Sequence, residues 1–131
     1  MQMAGSEPSY RRSIQFGRRE GDRLQTLVQV VCVPGKSLRD SIVNDRRIED
    51  FRLAVREKLK PGRKHGWAKI HSIAPDRRGA LNIEWYAEAN ILLCRIINRG
   101  AGRPDLILGD FIDYLFQRHR RRIKAVNIIP T

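Results

Sequence analysis

Hydrophobic and polar residues alternate along much of the chain in the way that β-strands require. Over residues 80–86, leucine, isoleucine and tryptophan alternate with polar side chains, the period of two that is typical of a half-buried strand. Residues 24–33 end in a run that is apolar on both faces, which favours a central strand. We predict strands over residues 24–33, 67–74, 80–86, 91–98 and 123–129, and a short edge strand over residues 11–17.

Two segments show the spacing of amphipathic helices. The first begins at Ser37, which is placed to cap it, and apolar residues at steps of three and four carry the pattern to Leu59, with a break or second cap at residues 44–45. Pro61 ends this helix. The second helix begins at Pro104 and ends in a series of cations, which complement the helix dipole.

This order of elements predicts an α+β domain with a mixed or antiparallel sheet of four to six strands and two helices packed on one face. It is close to the ferredoxin-like (split β-α-β) arrangement with an extra strand. The 131 residues suit one domain, which we place at residues 11–131. Residues 1–10, rich in Gly, Ser and Pro, predict a flexible N-terminal arm.

Charge is the strongest feature of the composition. Lysine and arginine total 26 against 14 acidic residues, a net charge of +12, and a surplus of this size favours a polyanionic partner. No apolar run approaches the roughly 18 residues that cross a bilayer, so no membrane partner is expected. Cys32 and Cys94 both lie in apolar segments, which predicts buried thiols and a cytoplasmic protein rather than a disulfide scaffold.

The cations gather in three places along the chain: the loop after the first helix, the tip of the hairpin near residue 77, and the end of the last helix. Cations stabilise a helix C-terminus by only about 0.3–1 kcal/mol per site, so the last cluster exceeds what its helix requires. The predicted phosphate contacts are Lys60, Arg63, Lys64, Arg77, Arg78, Arg118, Arg120, Arg121, Arg122 and Lys124. Lys36 and Ser37, at the start of the first helix, predict a simpler anion-binding site.

These clusters favour a non-enzymatic domain that binds nucleic acid, RNA more than DNA, through its phosphates. An alternative is a protein-interaction or assembly module whose basic face docks on an acidic protein partner. The strand over residues 91–97 is apolar on both faces and could support a homodimer. No cofactor, metal site or catalytic residue is predicted, since the three histidines share no ligand spacing with each other or with the cysteines.

A metal-dependent nuclease is a further, weaker alternative. Asp76 after a proline and Glu84 further on resemble the paired carboxylates that hold Mg²⁺ in one class of nucleases, but Tyr86 stands where that class has lysine, and Lys69 is the substitute within reach. The segment over residues 78–85 also partly follows an RNA-recognition octet. Its two base-stacking positions hold alanine and asparagine, which cannot stack, so we do not expect that kind of recognition.

Overall fold

A six-stranded antiparallel sheet dominates the computed structural model, which describes residues 25–58, 61–62, 66–97 and 104–130. The strands are β1 (Gln25–Cys32), β2 (Leu53–Glu57), β3 (Trp67–Ser72), β4 (Ala80–Tyr86), β5 (Ile91–Ile97) and β6 (Ile123–Pro130). The helices are α1 (Leu38–Val43) and α2 (Pro104–Arg118), with 3₁₀ segments over Arg46–Phe51 and Arg120–Arg122. Across the sheet the strands follow the order β2-β3-β4-β5-β1-β6.

The helices pack on one face of this sheet, and the predicted α+β class is confirmed. Alternate residues of the strands, such as Val28 in β1 and Ile83 in β4, are completely buried. They join one hydrophobic cluster with Ile42 of α1 and Phe111 of α2, so both helices cover the same face. In the part of the chain that the structure describes, no helix covers the opposite face.

Most predicted elements are confirmed, with strand ends shifted by no more than two residues. Ser37 caps α1 as predicted, because its side-chain oxygen accepts a hydrogen bond from the backbone N–H of Asp40 at 3.1 Å. The predicted arm over residues 1–10 and edge strand over residues 11–17 lie outside the described residues.

The prediction of a first helix reaching Leu59 is wrong, because β2 occupies Leu53–Glu57. The chain leaves the helical conformation at Arg52, which adopts a left-handed conformation with φ of 67° and ends the 3₁₀ segment. In β2, Leu53 is buried while Arg56 is exposed, which is the alternation of a strand. The steps of four from Phe51 to Val55 and Leu59 fit both a helix and a strand, so the helical pattern was ambiguous here.

Both cysteines are buried and free in the structure, which confirms the prediction of buried thiols. Cys94 lies opposite Val28 on the neighbouring strand, four residues along β1 from Cys32. Burial raises the pKa of both thiols. Both therefore stay protonated at neutral pH and are poor nucleophiles. No helix among the described residues is long and apolar enough to span a membrane.

Strand β6 forms one edge of the sheet and pairs with β1. Near its end, Ile128 and Ile129 are 48% and 47% exposed, large values for isoleucine. The next residue, Pro130, has no backbone N–H to donate. In the part of the chain that the structure describes, the outer edge of β6 is therefore an unpaired edge with apolar side chains.

A buried carboxylate ties α2 to two other elements. Asp110 is 7% exposed, and its Oδ1 accepts a hydrogen bond from Nη1 of Arg77, in the turn between β3 and β4, at 2.8 Å. Arg52 approaches the same oxygen at 3.4 Å. Because Arg77 is also half-buried, this is a structural ion pair that fixes the hairpin against the helix.

Candidate functional site

The face of the sheet turned away from the helices, which we call the second face, carries a row of polar side chains. In the strand register Lys69 lies beside Asn82, and Asn82 lies beside Arg95. We call these three residues the polar row. Because neighbouring strands are about 4.8 Å apart, the row spans roughly 10 Å across β3, β4 and β5.

A shallow cavity of about 440 Å³ lies on the second face at one end of the polar row. Its size falls in the range of roughly 300–1,000 Å³ that is common for ligand sites. No carboxylate lines it among the described residues. Its polar lining consists of the cations Arg56, Lys69 and Arg78 and the side chains of His71, Ser72 and Asn82.

The local backbone explains how two of these cations reach the cavity. Ala54 lies beside His71 on the second face, so strand alternation places Arg56 on that face, just before the register shift between Val55 and Glu57, and Arg56 lines the cavity. Arg78 precedes Gly79, whose φ of +145° suits glycine, and a Cβ at Gly79 would come within 2.5 Å of Ile107 in α2. The hairpin that carries Arg78 therefore packs closely against α2 at Gly79.

Among the described residues, the cations of the cavity lie in no ion pair, although the carboxylate of Glu57 is a cross-strand neighbour of Lys69. Arg56, Lys69 and Arg78 form no ion pair within the described parts of the chain. Two carboxylates lie near them on the sheet. Glu57 faces Lys69 in the register without forming an ion pair, and Glu84 accepts a hydrogen bond from the Tyr86 hydroxyl at 3.0 Å. The cluster is thus a concentrated positive site that an anion could neutralise.

Several predicted contact residues instead make structural contacts. Arg77 pairs with Asp110, and Arg118 donates two hydrogen bonds of 3.1 Å to Asp45. Nη2 of Arg122 donates to the backbone carbonyl of Lys36 at 2.6 Å, which ties the start of β6 to the turn after β1. These three guanidinium groups are already partnered, so they add little to the positive surface.

At the predicted anion site after β1, the hydroxyl of Ser37 already serves as the cap of α1, and the Lys36 side chain is exposed.

Arg120, Arg121 and Lys124 form a second exposed group of cations. The Arg120 guanidinium lies 5.3 Å from the ring centroid of Phe116, and a cavity of about 450 Å³ opens there. The strand register places this group at the far end of the sheet from the cavity on the second face, since β6 begins beside Cys32 whereas that cavity includes Ile97, which lies beside Gln25. The predicted contacts Lys60, Arg63 and Lys64 lie outside the described residues.

Sequence reasoning missed Arg56, Lys69 and Arg95 as members of a site. The alternation in β3 and β5 was sufficient to place Lys69 and Arg95 on one face of their strands. The sequence does not show the register that sets Lys69 and Arg95 beside Asn82. Arg56 was missed because residues 53–57 were predicted to be helical, whereas they form β2.

The carboxylates of the nuclease alternative do not come together with a third ligand. Asp76 lies in the hairpin turn with its side chain 70% exposed, whereas Glu84 lies four residues into β4. Among the residues that the structure describes, no group of three or more His, Cys, Asp or Glu side chains could hold a metal ion. The described residues therefore lend this alternative no support.

Comparisons with known proteins give no family for this chain: no family model, curated protein or solved structure matches it. The chemistry of the second face is therefore the main indication of function.

A buried polar network next to the second group of cations joins α2 to the 3₁₀ segment. The Tyr114 hydroxyl donates to Asp45 at 3.0 Å and lies 2.8 Å from Nε2 of His119. The Tyr114 hydroxyl has one proton and donates it to Asp45. The hydrogen bond with His119 therefore runs from the protonated Nε2 of His119 to the Tyr114 oxygen. Burial, reinforced by the Asp45 charge, raises the pKa of Tyr114 well above its usual value.

The other two groups of this network have lowered pKa values for different reasons. Burial lowers the pKa of His119, and the charges of Arg118 and Arg122 add to this effect while Asp45 opposes it. Burial alone would raise the pKa of Asp45, but hydrogen bonds from Arg118, from the backbone N–H of Arg47 and from Tyr114 outweigh it.

The lowered pKa of His119 predicts a loss of stability in mild acid. Below the ordinary histidine pKa of about 6.5, the unfolded chain binds a proton that folded His119 resists, so the free energy of unfolding falls by at most about 1.4 kcal/mol per pH unit. Urea denaturation between pH 7.5 and 5 measures this slope, and His119→Gln should flatten it. An unchanged slope in the variant would contradict the assignment. The Asp45 contribution is separate, since it is lost only below about pH 4.

Proposed function

We propose that this protein is a non-enzymatic nucleic-acid-binding domain that contacts phosphates through the cations of the second face. The observation that carries the proposal is the cavity lined by Arg56, Lys69 and Arg78, whose described lining contains no carboxylate. Guanidinium and ammonium groups neutralise phosphates and release counterions, and this supplies affinity without sequence preference.

RNA is the favoured ligand. Among the cations lies a neutral hydrogen-bonding group, the amide of Asn82, which lines the same cavity. A ribose 2′-hydroxyl is both a donor and an acceptor, and it is the group by which proteins distinguish RNA from DNA. An amide next to a phosphate contact can bind it directly.

The other exposed cations extend this proposed surface. Arg120, Arg121 and Lys124 supply contacts at the far end of the sheet, and Lys36 lies near them in the turn after β1. We propose that Lys60, Arg63 and Lys64, in the connection between β2 and β3, also contact phosphates.

We also propose that the domain is a variant of the ferredoxin-like arrangement. The connectivity β1-α1-β4-β5-α2-β6 with the spatial order β4-β5-β1-β6 supports this proposal, and β3 and β2 extend the sheet beyond β4. A cytoplasmic location is proposed on the two buried free thiols, which suit a reducing compartment.

A salt titration tests the proposed function. Fluorescence anisotropy with a labelled 20-nucleotide RNA should show log affinity falling linearly with log salt, and Lys69→Gln/Arg78→Gln should reduce the slope by about 1.4, since each lost contact to a single strand removes about 0.7. The matched control is Arg46→Gln/Lys58→Gln, which removes the same charge from exposed positions outside the cavity. An equal reduction in the control, or no binding at all, would refute the proposed site.

A basic docking face for an acidic protein is the second candidate. The half-buried apolar side chains of Leu27 and Leu93 on the second face favour it, because protein interfaces combine apolar and charged groups. The same apolar side chains could support a homodimer. Capture of a defined partner that survives nuclease digestion, together with no RNA binding in the titration, would select this candidate over the first.

A further inference from the structure

Along the line of the polar row, the second face changes from a cationic half on β3 to β5 to an apolar half on β1 and β6, while Gln29 and Asn127 form a hydrogen-bonded pair in the next row. Beyond Arg95, the next residues in line with the polar row are apolar: Leu27 on β1 and Ile129 on β6. Leu93 lies on the same face, in the next row along β5. A ligand that follows the row from β3 to β1 would therefore meet first cations and then apolar side chains.

We infer that the ligand of the second face is a single-stranded nucleic-acid segment that crosses the strands along the polar row. Its phosphates lie over the cations of β3 and β5, because at β2 the register places the carboxylate of Glu57 beside Lys69. Its bases lie over the apolar side chains of β1 and β5. This inference rests on the proposed function, because it specifies the form of nucleic acid that the same site binds.

The charges on the second face favour this direction over a path along β4. A segment that ran along β4 would pass from Asn82 to Glu84, whose carboxylate repels phosphate. Along the polar row no carboxylate intervenes between Lys69 and Arg95, since Asn82 is the residue between them. The row therefore offers an anionic backbone an attractive path.

The apolar half favours a single strand over a duplex. In an RNA duplex the major groove is deep and narrow, and the wide, shallow minor groove displays 2′-hydroxyls and base edges rather than base faces. A sheet of six strands at about 4.8 Å spacing is too broad to enter the major groove, so Leu27 and Leu93 would face sugar and phosphate instead. In a single strand the unstacked bases can turn onto an apolar surface while the backbone stays on the cations.

The test compares strand forms and two matched variants. Anisotropy is measured with a labelled 10-nucleotide single-stranded RNA and with a 20-base-pair RNA duplex at 50 mM salt. We expect the single strand to bind at least tenfold more tightly. Leu27→Gln should weaken single-strand binding about fivefold, because a base would lose its apolar contact with the leucine side chain. The salt slope should stay the same, because no charge is altered.

Val31→Gln is the control, since Val31 lies on the same strand and face, four residues or about 13 Å from Leu27. It should leave single-strand affinity unchanged, and thermal unfolding shows that both variants fold. Equal affinity for single strand and duplex, or equal weakening by Val31→Gln, overturns this inference while the proposed function stands. Absence of binding to either RNA overturns the proposed function and the inference together.

Discussion

Asp110→Ala is expected to lower the free energy of unfolding by about 2–4 kcal/mol, because it removes the buried carboxylate that pairs with the half-buried Arg77 guanidinium at 2.8 Å and leaves only the exposed Asp76, 3.5 Å away. The loss should be smaller than for a fully buried pair, since Arg77 keeps 23% of its side chain in solvent. It should include loosening of the β3–β4 hairpin, which Asp110 holds against α2. Urea denaturation monitored by circular dichroism measures the difference.

The double variant Asp110→Leu/Arg77→Met separates two contributions to the free energy of unfolding. One is the penalty of leaving a charge without its partner, and the other is the net stabilisation by the ion pair. Replacing both members with apolar residues of similar size removes the stranded charge, so the double variant should be more stable than Asp110→Ala. A double variant that is less stable than Asp110→Ala would contradict this explanation. It would show instead that the pair itself supplies most of the stabilisation.

The triple charge reversal Arg56→Glu/Lys69→Glu/Arg78→Glu is expected to reduce RNA affinity by about three orders of magnitude at 50 mM salt. It replaces three phosphate contacts with three repulsions at the centre of the proposed site. All three side chains reach solvent at the cavity and form no ion pair in the described residues, so the fold should tolerate the change. Anisotropy with the 20-nucleotide RNA measures the loss, and near-ultraviolet circular dichroism checks the packing.

The reversal Arg120→Glu/Arg121→Glu/Lys124→Glu provides the comparison, because it alters the net charge equally at the opposite end of the sheet. We expect RNA affinity to fall by about tenfold, because these cations lie at the periphery of the proposed surface and contribute less to binding than the cavity does. If this variant abolishes binding while the first reversal leaves it within threefold, the second face is not the principal site.

The fold could be predicted where the pattern is local. In β4, alternation within seven residues is sufficient to define both the strand and its buried side. In β2 it was not, because the apolar spacing from Phe51 to Leu59 fits a helix as well as a strand. The deciding event is the left-handed backbone at Arg52, and nothing about arginine favours that conformation.

The site was harder to predict because charge neutralisation is a property of the folded chain. The Arg77–Asp110 and Arg118–Asp45 pairs join residues 33 and 73 positions apart, so the sequence shows the cations without showing which of them are occupied. Conversely, Lys69 and Arg95 stand alone in the sequence and become neighbours in a row only through the pairing of three strands. Clusters of cations in the sequence therefore do not show which cations have carboxylate partners in the folded chain.

The unpaired edge of β6 has a practical consequence for handling the protein. At low ionic strength the net charge of +12 keeps molecules apart, even though Ile128 and Ile129 are exposed on a strand that could pair with another copy. Washing at 1 M salt, the usual way to strip a bound polyanion, shortens the Debye length to about 3 Å and removes that repulsion. Self-association should therefore be greatest under the conditions that yield the cleanest preparation.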